Sequence, residues 1–148
     1  MPVPVFSAAH SICELRDWTI SNLELQKILY IAHMIHLGKT GGEPLIREKF
    51  QAWEYGPVVP ELYKRVRGFG SDPVRNVFHW DREVSEDTQE YESLAEASDQ
   101  TQGMRPGQLV AITHWPRGAW YRTYKPGKRG IVIPNELILD EYRAREAA

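Results

Sequence analysis

The most regular hydrophobic pattern in the chain lies between Ser21 and Gly38. Apolar residues recur there at helical spacing, at Leu25, Ile28, Leu29, Ala32 and Ile35. Ser21 and Glu24 have the spacing of a capping box, so the helix is predicted to begin there, and Gly38 is predicted to end it. Further apolar residues cover most of the helix circumference, which is typical of a central helix that neighbours cover on several sides.

Shorter elements are predicted on both sides of this helix. Ser7 is expected to cap a helix that runs to about Arg16, with Ile12 and Leu15 on its apolar side. After the central helix, the segment 49–55 alternates polar and apolar residues, as a strand with one buried face does.

A proline-rich segment follows this strand. Gly56-Pro57-Val58-Val59-Pro60 is predicted to form a rigid turn, because proline fixes its own φ and restricts the residue before it. Pro60 is also a suitable first residue for a helix that extends to Gly68.

The second half of the chain is predicted to alternate short elements and turns. The pattern predicts a strand over 74–80, an exposed acidic helix from Ser85 to about Gln100, and a short helix around 108–114. Turns are predicted at 115–118 and 125–128.

The C-terminal segment completes the predicted fold. Asn135 is expected to cap a last helix that carries Leu137, Ile138 and Tyr142. At 148 residues the chain has the length of one domain, and no internal repeat is present. We therefore expect an α+β fold: a mostly helical single domain over residues 1–148, built around a central buried helix with a small antiparallel β element.

Composition narrows the class of protein. The chain is 42% apolar and 26% charged, which is ordinary for a globular domain. Its one cysteine, Cys13, cannot form an internal disulfide, and no apolar run reaches the length of a membrane span. No signal-peptide pattern opens the chain. A soluble protein of the reducing cytoplasm, without a membrane partner, is the expectation.

The sequence offers few groups for catalysis or metal binding. Cys13 lacks the local signature of a nucleophile, and its position on an amphipathic helix suits a small buried hydrophobe. His33 and His36 are neighbours on one helix, but no further ligand follows them at metal-site spacing. Phosphate-loop, HExxH and GxSxG motifs are absent. We expect no catalytic residue, no metal site, no cofactor and no enzyme.

Charge is distributed unevenly along the chain. Residues 81–99 contain eight acids and one arginine, whereas residues 100–135 contain six basic residues and no acid. The two segments are expected to neutralise each other within the fold, or else to mark a binding face. Basic clusters at 64–67 and 125–129 would suit a nucleic acid, but the overall acidity and the missing helix-turn-helix signature argue against that partner.

Aromatic and arginine residues are concentrated in the acid-free segment. Interfaces draw on these residue types because they combine large contact area with directional bonding. The candidate partner-binding residues are Trp115, Arg117, Arg122 and Tyr124. The alternative interpretation places the aromatic residues of the chain, among them Trp53, Tyr55 and Trp120, in the core.

Four segments in order resemble the Panacea antitoxin domain, the SocA-like family that also includes phage-associated GepA-like proteins. They lie at 23–30, 52–63, 109–120 and 131–142, and Trp-x-Tyr-Gly-Pro-Val is intact in the second. The third departs from the family pattern, because Pro116 is separated from the following tryptophan. The motif residues, expected to be mainly structural, are Leu25, Gln26, Lys27, Leu29, Tyr30, Trp53, Tyr55, Gly56, Pro57, Val58, Tyr63, Thr113, His114 and Trp120.

The resemblance implies an antitoxin that neutralises a cognate protein toxin by direct binding. The SocA type of the family is a proteolytic adaptor that delivers its toxin to the ClpXP protease, so such a protease is a second implied partner. A nucleic-acid-binding prophage protein is the remaining alternative.

Overall fold

The computed structural model describes residues 1–148 and shows the expected mostly helical α+β fold. Seven α-helices, one 3₁₀ turn and a two-stranded antiparallel sheet are present. In chain order they are α1 (Val5–Leu15), α2 (Asn22–Thr40), β1 (Gln51–Trp53), β2 (Gly56–Val58), α3 (Pro60–Val66), the 3₁₀ turn (Arg67–Phe69), α4 (Gln89–Gln100), α5 (Pro106–Thr113), α6 (Ala119–Thr123) and α7 (Asn135–Ala147). None of the helices combines the length and the apolar character that crossing a bilayer would need.

Helix α2 is the centre of the fold, as its pattern predicts. It contacts α1, α4, α5, α7 and β2, and every residue from Leu25 to Leu37 is buried. The predicted capping box is confirmed: the Ser21 hydroxyl accepts from the Glu24 amide at 3.3 Å, and the Ser21 amide donates to the Glu24 carboxylate at 2.9 Å. Local hydrogen bonds therefore start the helix, and burial on all sides stabilises it.

The predicted end of α2 at Gly38 is wrong. The helix continues to Thr40, and Gly41 ends it in the left-handed conformation with φ 73°. Gly38 has a packing role, because a Cβ there would overlap the ring of Tyr142 on α7. A glycine at a close helix contact resembles a helix stop when only the sequence is considered.

Residues 56–58 form a strand, and the predicted rigid turn over 56–60 is wrong. Ala52 pairs with Pro57 and Trp53 with Gly56, so the turn of the hairpin is Glu54-Tyr55. The other side of β1 is covered by the segment 131–133, whose Ile131 carbonyl accepts from the Ala52 amide at 2.9 Å. β2 is thus an edge strand, where a proline is tolerated because its missing N–H would face away from the ladder.

The first helix begins differently from the prediction. α1 starts at Val5, after Pro4, and the side chain of Ser7 makes no cap. The Val5 amide instead donates to the Glu48 carboxylate at 2.8 Å. One of the free amides at this helix start is therefore satisfied by a residue more than forty positions away.

The last helix also begins without the predicted cap. Pro134 is the residue that precedes α7, and Asn135 is the first residue inside the helix. The side chain of Asn135 hydrogen-bonds His33 on α2 at 2.9 Å. A contact between two helices therefore takes the place of a local capping bond.

The segment between α3 and α4 is irregular, so the predicted strand over 74–80 is wrong. Val74 and Phe78 are buried, but backbone pairing is limited to one bridge, where Pro73 lies opposite Ser21 and the Val74 amide donates to the Ile20 carbonyl at 2.8 Å. Helix α4 begins at Gln89 and not near Ser85, because the Thr88 hydroxyl accepts from the Tyr91 amide at 3.1 Å and caps it. The short helix α6 lies between the two predicted turns and is absent from the prediction.

Candidate functional site

The family-like motifs meet around a buried lysine. Lys27 of α2 is 0% exposed, and its ammonium donates to the carbonyl oxygen of Pro57 at 3.1 Å. The neighbouring Gln26 side chain accepts from the amide of Val59 at 2.9 Å. Two consecutive residues of the central helix thereby hydrogen-bond β2 and the residue that follows it. Burial lowers the pKa of Lys27 to about 7, because a charged ammonium is costly away from water.

Gly56 lies where three elements converge. Its φ is +118°, a conformation that L side chains rarely adopt. A Cβ at this position would lie 2.7 Å from Lys27 Cε and 2.9 Å from Thr113 Oγ1. The hairpin, α2 and α5 therefore approach one another at distances that only a glycine permits.

An aromatic stack continues from the end of α5. The rings of His114 and Trp120 are parallel with centroids 3.7 Å apart, and Trp120 stacks on Tyr124 at 4.7 Å. The Trp120 indole donates to the Trp53 carbonyl at 2.7 Å, which joins α6 to the hairpin. His114 Nε2 is buried without a hydrogen-bond partner. Burial and the nearby Lys27 charge lower the pKa of His114.

These elements enclose an open cavity of about 750 Å³, here called the motif cavity. Lys27 and Val58 lie at its inner wall, and Trp53, Tyr55 and Tyr124 contribute aromatic surface. The Arg129 guanidinium lies 4.1 Å from the centre of the Trp53 ring, within cation–π distance. The cavity therefore combines aromatic rings with the basic residues Lys27, Lys128 and Arg129 and the acids Glu24 and Glu54, a mixture suited to holding part of a partner molecule.

The residues considered in the sequence for catalysis or metal binding are buried and pack or hydrogen-bond within the core. Cys13 is buried, and burial with the neighbouring Glu14 charge raises its pKa to about 12, so the thiol stays protonated. His33 is paired with Asn135 on α7, whereas His36 Nδ1 hydrogen-bonds Ser93 on α4 at 2.9 Å. The two histidines face different elements. Burial lowers the pKa of His33 to about 4, which leaves it neutral at physiological pH.

Comparison with known proteins identifies the family. Residues 25–121 match the family described as Antitoxin SocA-like, Panacea domain. The chain belongs to the SocA-like antitoxin family. It is also 30% identical over 145 residues to Antitoxin SocA of Caulobacter vibrioides (strain NA1000 / CB15N), an alignment that covers 89% of this chain and 77% of that relative. No solved structure matches the chain. Membership suggests an antitoxin role of a regulatory, non-enzymatic kind.

The motif residues of this SocA-like protein occupy three kinds of position. Leu25, Leu29 and Tyr30 are core residues of α2. Trp120 is 6% exposed, and Tyr63 packs edge-on against Trp53 with ring centres 4.8 Å apart. Tyr55 is 64% exposed at the hairpin turn, so its expected place in the core is wrong.

The four candidate interface residues are divided among three surroundings. Tyr124 lines the motif cavity. The Trp115 ring lies under the guanidinium groups of Arg117, at 5.2 Å, and Arg145, at 4.6 Å. Arg122 is half exposed, and its guanidinium lies 4.0 Å from the Asp140 carboxylate of α7. Although the segment 100–135 contains no acid, the fold brings an acid of α7 close to one of its arginines.

The acidic segment 81–99 and the basic segment 100–135 do not neutralise each other through ion pairs. Acids of the segment 81–99 pair with residues earlier in the chain: Asp81 with Arg65 at 2.6 Å, and Glu96 with Lys39. No ion pair joins the segments 81–99 and 100–135. Arg65, one of the clustered basic residues at 64–67, also covers the Phe6 ring at 3.5 Å, so it serves the fold.

Sequence reasoning missed Glu141. This residue is 1% exposed, and its carboxylate accepts from the Tyr30 hydroxyl at 2.6 Å, from the Ala119 amide at 2.9 Å and from Arg145 at 2.7 Å. The group joins α2, α6 and α7. One signal was available, because Glu141 follows Ile138 by three residues and so lies on the apolar face of the last helix.

Proposed function

We propose that this SocA-like antitoxin neutralises its cognate protein toxin by direct binding, and that a segment of the toxin enters the motif cavity. The observation that carries the proposal is the convergence of two family-like segments, 23–30 and 52–63, on one open cavity with aromatic and basic side chains at its mouth.

The mouth of the motif cavity has the composition of an interface centre. Tyr55 is exposed at the hairpin turn, and Tyr124 presents one face of its ring while Trp120 covers the other. Rigid aromatic side chains supply contact area with little loss of conformational freedom, which is why they dominate binding energy at interfaces. The Tyr124 ring is held by its stack on Trp120 before any partner arrives.

The charge at one side of the mouth favours an acidic segment of the toxin. Lys128 and Arg129 both line the cavity from a segment without acids, whereas the two acids of the lining, Glu24 and Glu54, belong to α2 and to the hairpin turn. Arg129 is exposed while it stacks on Trp53, so its donors can reach a carboxylate on a partner. Such charges increase the rate of association and make binding sensitive to salt.

Arg117 and Arg122 form a second part of the proposed interface, next to the cavity along the chain. Arg122 lies 4.0 Å from Asp140, and an exposed pair at that distance contributes little stability. The arginine can therefore exchange this partner for a toxin carboxylate without unfolding the protein.

The experiment measures calorimetric binding of the purified toxin to variants with unchanged melting temperature. We expect Tyr55→Ala or Arg129→Ala to weaken binding by about 1–3 kcal/mol. The matched control is Trp80→Ala, because Trp80 is 90% exposed, does not line the motif cavity and lies outside α6. Arg117→Ala and Arg122→Ala test the second part of the interface separately.

Unchanged affinity in the Tyr55 and Arg129 variants would remove the motif cavity from the proposal. Loss of affinity in the Arg117 and Arg122 variants alone would move the interface to α6 and its preceding turn. Failure of the wild-type protein to bind the toxin at all would refute direct binding.

Delivery of the toxin to a ClpXP-type protease is the finer form of the same proposal. Binding that blocks the toxin leaves its half-life unchanged, whereas an adaptor shortens it in a protease-dependent way. Following toxin half-life with and without the antitoxin, in the presence and absence of the protease, separates the two mechanisms.

A further inference from the structure

Three ligand-type side chains meet at a place that none of the family motifs occupies. His10 and Glu14 are one turn apart on α1, and Glu83 lies in the irregular segment before α4. One ligand atom from each residue lies within 4.8 Å of the other two. The chain brings residues about seventy positions apart to one point, which the helix spacing of His10 and Glu14 alone would not do.

The imidazole of His10 is held in the orientation that a metal ligand needs. His10 is 8% exposed and lies near the rings of Trp18, at 5.9 Å, and Phe78, at 6.3 Å. Its Nδ1 donates to the backbone carbonyl of Asp81 at 2.7 Å. A carbonyl can only accept, so the neutral ring carries its proton on Nδ1 and presents the lone pair of Nε2. Metal-binding histidines are oriented by this kind of hydrogen bond.

The Nε2 atom of His10 has no hydrogen-bond partner and faces carboxylates. The nearest one is Glu14, whose Oε2 lies 3.9 Å away. The Trp18 indole donates to the same oxygen at 3.1 Å and holds the carboxylate in place. Neither Glu14 nor Glu83 forms an ion pair with a lysine or an arginine. Two carboxylates and the lone pair of a buried ring thus converge with no lysine or arginine paired to them.

We propose that His10, Glu14 and Glu83 bind a divalent transition-metal ion, with Zn²⁺ as the representative. One imidazole nitrogen with two carboxylate oxygens suits Zn²⁺ or Mn²⁺, whereas Mg²⁺ and Ca²⁺ prefer oxygen ligands alone. Three protein ligands leave a coordination position for water or for a partner's side chain. Glu83 is exposed, so a change of its rotamer can close the remaining distance while Trp18 holds Glu14. The ion would tie the segment before α4 to α1.

The site is independent of the proposed toxin binding, because none of its residues lines the motif cavity. In sequence it adjoins Trp80, which is 90% exposed and three positions before Glu83. Binding of the ion would therefore link α1 to the segment that presents the most exposed tryptophan of the chain.

The test is titration of ZnCl₂ into the full chain, freed of purification tags and stripped with a chelator. Calorimetry should show one ion per chain, and tryptophan fluorescence should change, because Trp18 contacts both His10 and Glu14. Glu83→Gln should weaken binding at least about tenfold while leaving the melting temperature of the metal-free protein unchanged. Glu86→Gln, an exposed acid outside the cluster, is the matched control and should bind like wild type.

Three results would overturn the proposal. These are absence of stoichiometric binding, equal affinity of the wild type and both the Glu83→Gln and Glu14→Gln variants, and loss of binding only on substitution of the exposed His79. In the first case His10 is simply a buried ring beside two carboxylates. Because the Glu83 and Glu14 side chains are not part of the core, both variants keep the test valid if a His10 variant fails to fold.

Discussion

Replacing Lys27 by methionine tests whether the buried ammonium has the pKa that its surroundings impose. The two side chains have similar length, so Lys27→Met keeps the packing of α2 but removes the charge and the hydrogen bond to Pro57. The folded protein lowers the pKa of Lys27 from 10.5 to about 7, because burial destabilises the charged form.

The sign of the pH effect follows from the protons bound in each state. Between these two pKa values the unfolded chain holds a proton on Lys27 that the folded chain has lost, so stability rises with pH. The gain between about pH 7 and about pH 9 is about 2 kcal/mol for a shift of this size. Below this window the buried His33 titrates. Above it the thiol of Cys13, which keeps its proton in the folded protein, lowers stability as the pH rises.

The assay is urea unfolding of both proteins at several pH values within this window. The difference in unfolding free energy between wild type and Lys27→Met isolates the lysine, because all other titrating groups are shared. Lys64→Met, at an exposed lysine on α3, is the control and should give a curve parallel to wild type. Parallel curves for wild type and Lys27→Met, within about 0.5 kcal/mol, would show that Lys27 keeps an ordinary pKa and that water reaches it.

Three further substitutions test the packing around α2. Gly56→Ala should destabilise the protein by about 2–4 kcal/mol, through backbone strain and through the clash of the new Cβ with Lys27. Gly70 is also at positive φ but has open space around it, so Gly70→Ala should show only the loss of stability that comes from backbone strain. Equal losses of stability in the two variants would refute the close approach at Gly56. Leu29→Ala should cost about 2–5 kcal/mol by leaving a cavity, and a denaturant midpoint near wild type would show that the core is not tightly packed there. Glu141→Gln should cost about 2 kcal/mol or more, since it weakens a buried pair, and calorimetric melting would detect it.

Those parts of the fold whose causes are local could be predicted from the sequence. The capping box at Ser21 and the apolar residues after it act within a few positions of one another, so α2 and its burial followed directly. The same is true of the helix that begins at Pro60. Local signals failed where a distant partner decides the conformation. Gly38 lies inside α2, at a position where the ring of Tyr142 leaves no space for a Cβ. The start of α1 depends on the Glu48 carboxylate, which accepts from the Val5 amide.

The candidate sites show the same limit. The motif residues of the cavity could be named in advance, but only from the family resemblance, because the contacts of Gly56 with Lys27 and Thr113 span 29 and 57 positions of sequence. The cluster of His10, Glu14 and Glu83 could not be found from spacing, since Glu83 reaches it through an irregular segment. Large aromatic residues are usually buried, which favours a core position for Tyr55, yet the hairpin turn leaves it exposed.

The connections around the motif cavity separate stability from recognition. Lys27 and Gln26 bind β2, the Trp120 indole binds the carbonyl of Trp53, and Glu141 binds both α2 and α6. These hydrogen bonds join the elements behind the cavity wall, and none uses an exposed side chain at its mouth. Substitutions of exposed residues at the mouth therefore change the surface available to a partner and leave these hydrogen bonds intact. Under the proposed binding mode, a fold arranged in this way accepts a different toxin through changes at the mouth alone, with little loss of stability.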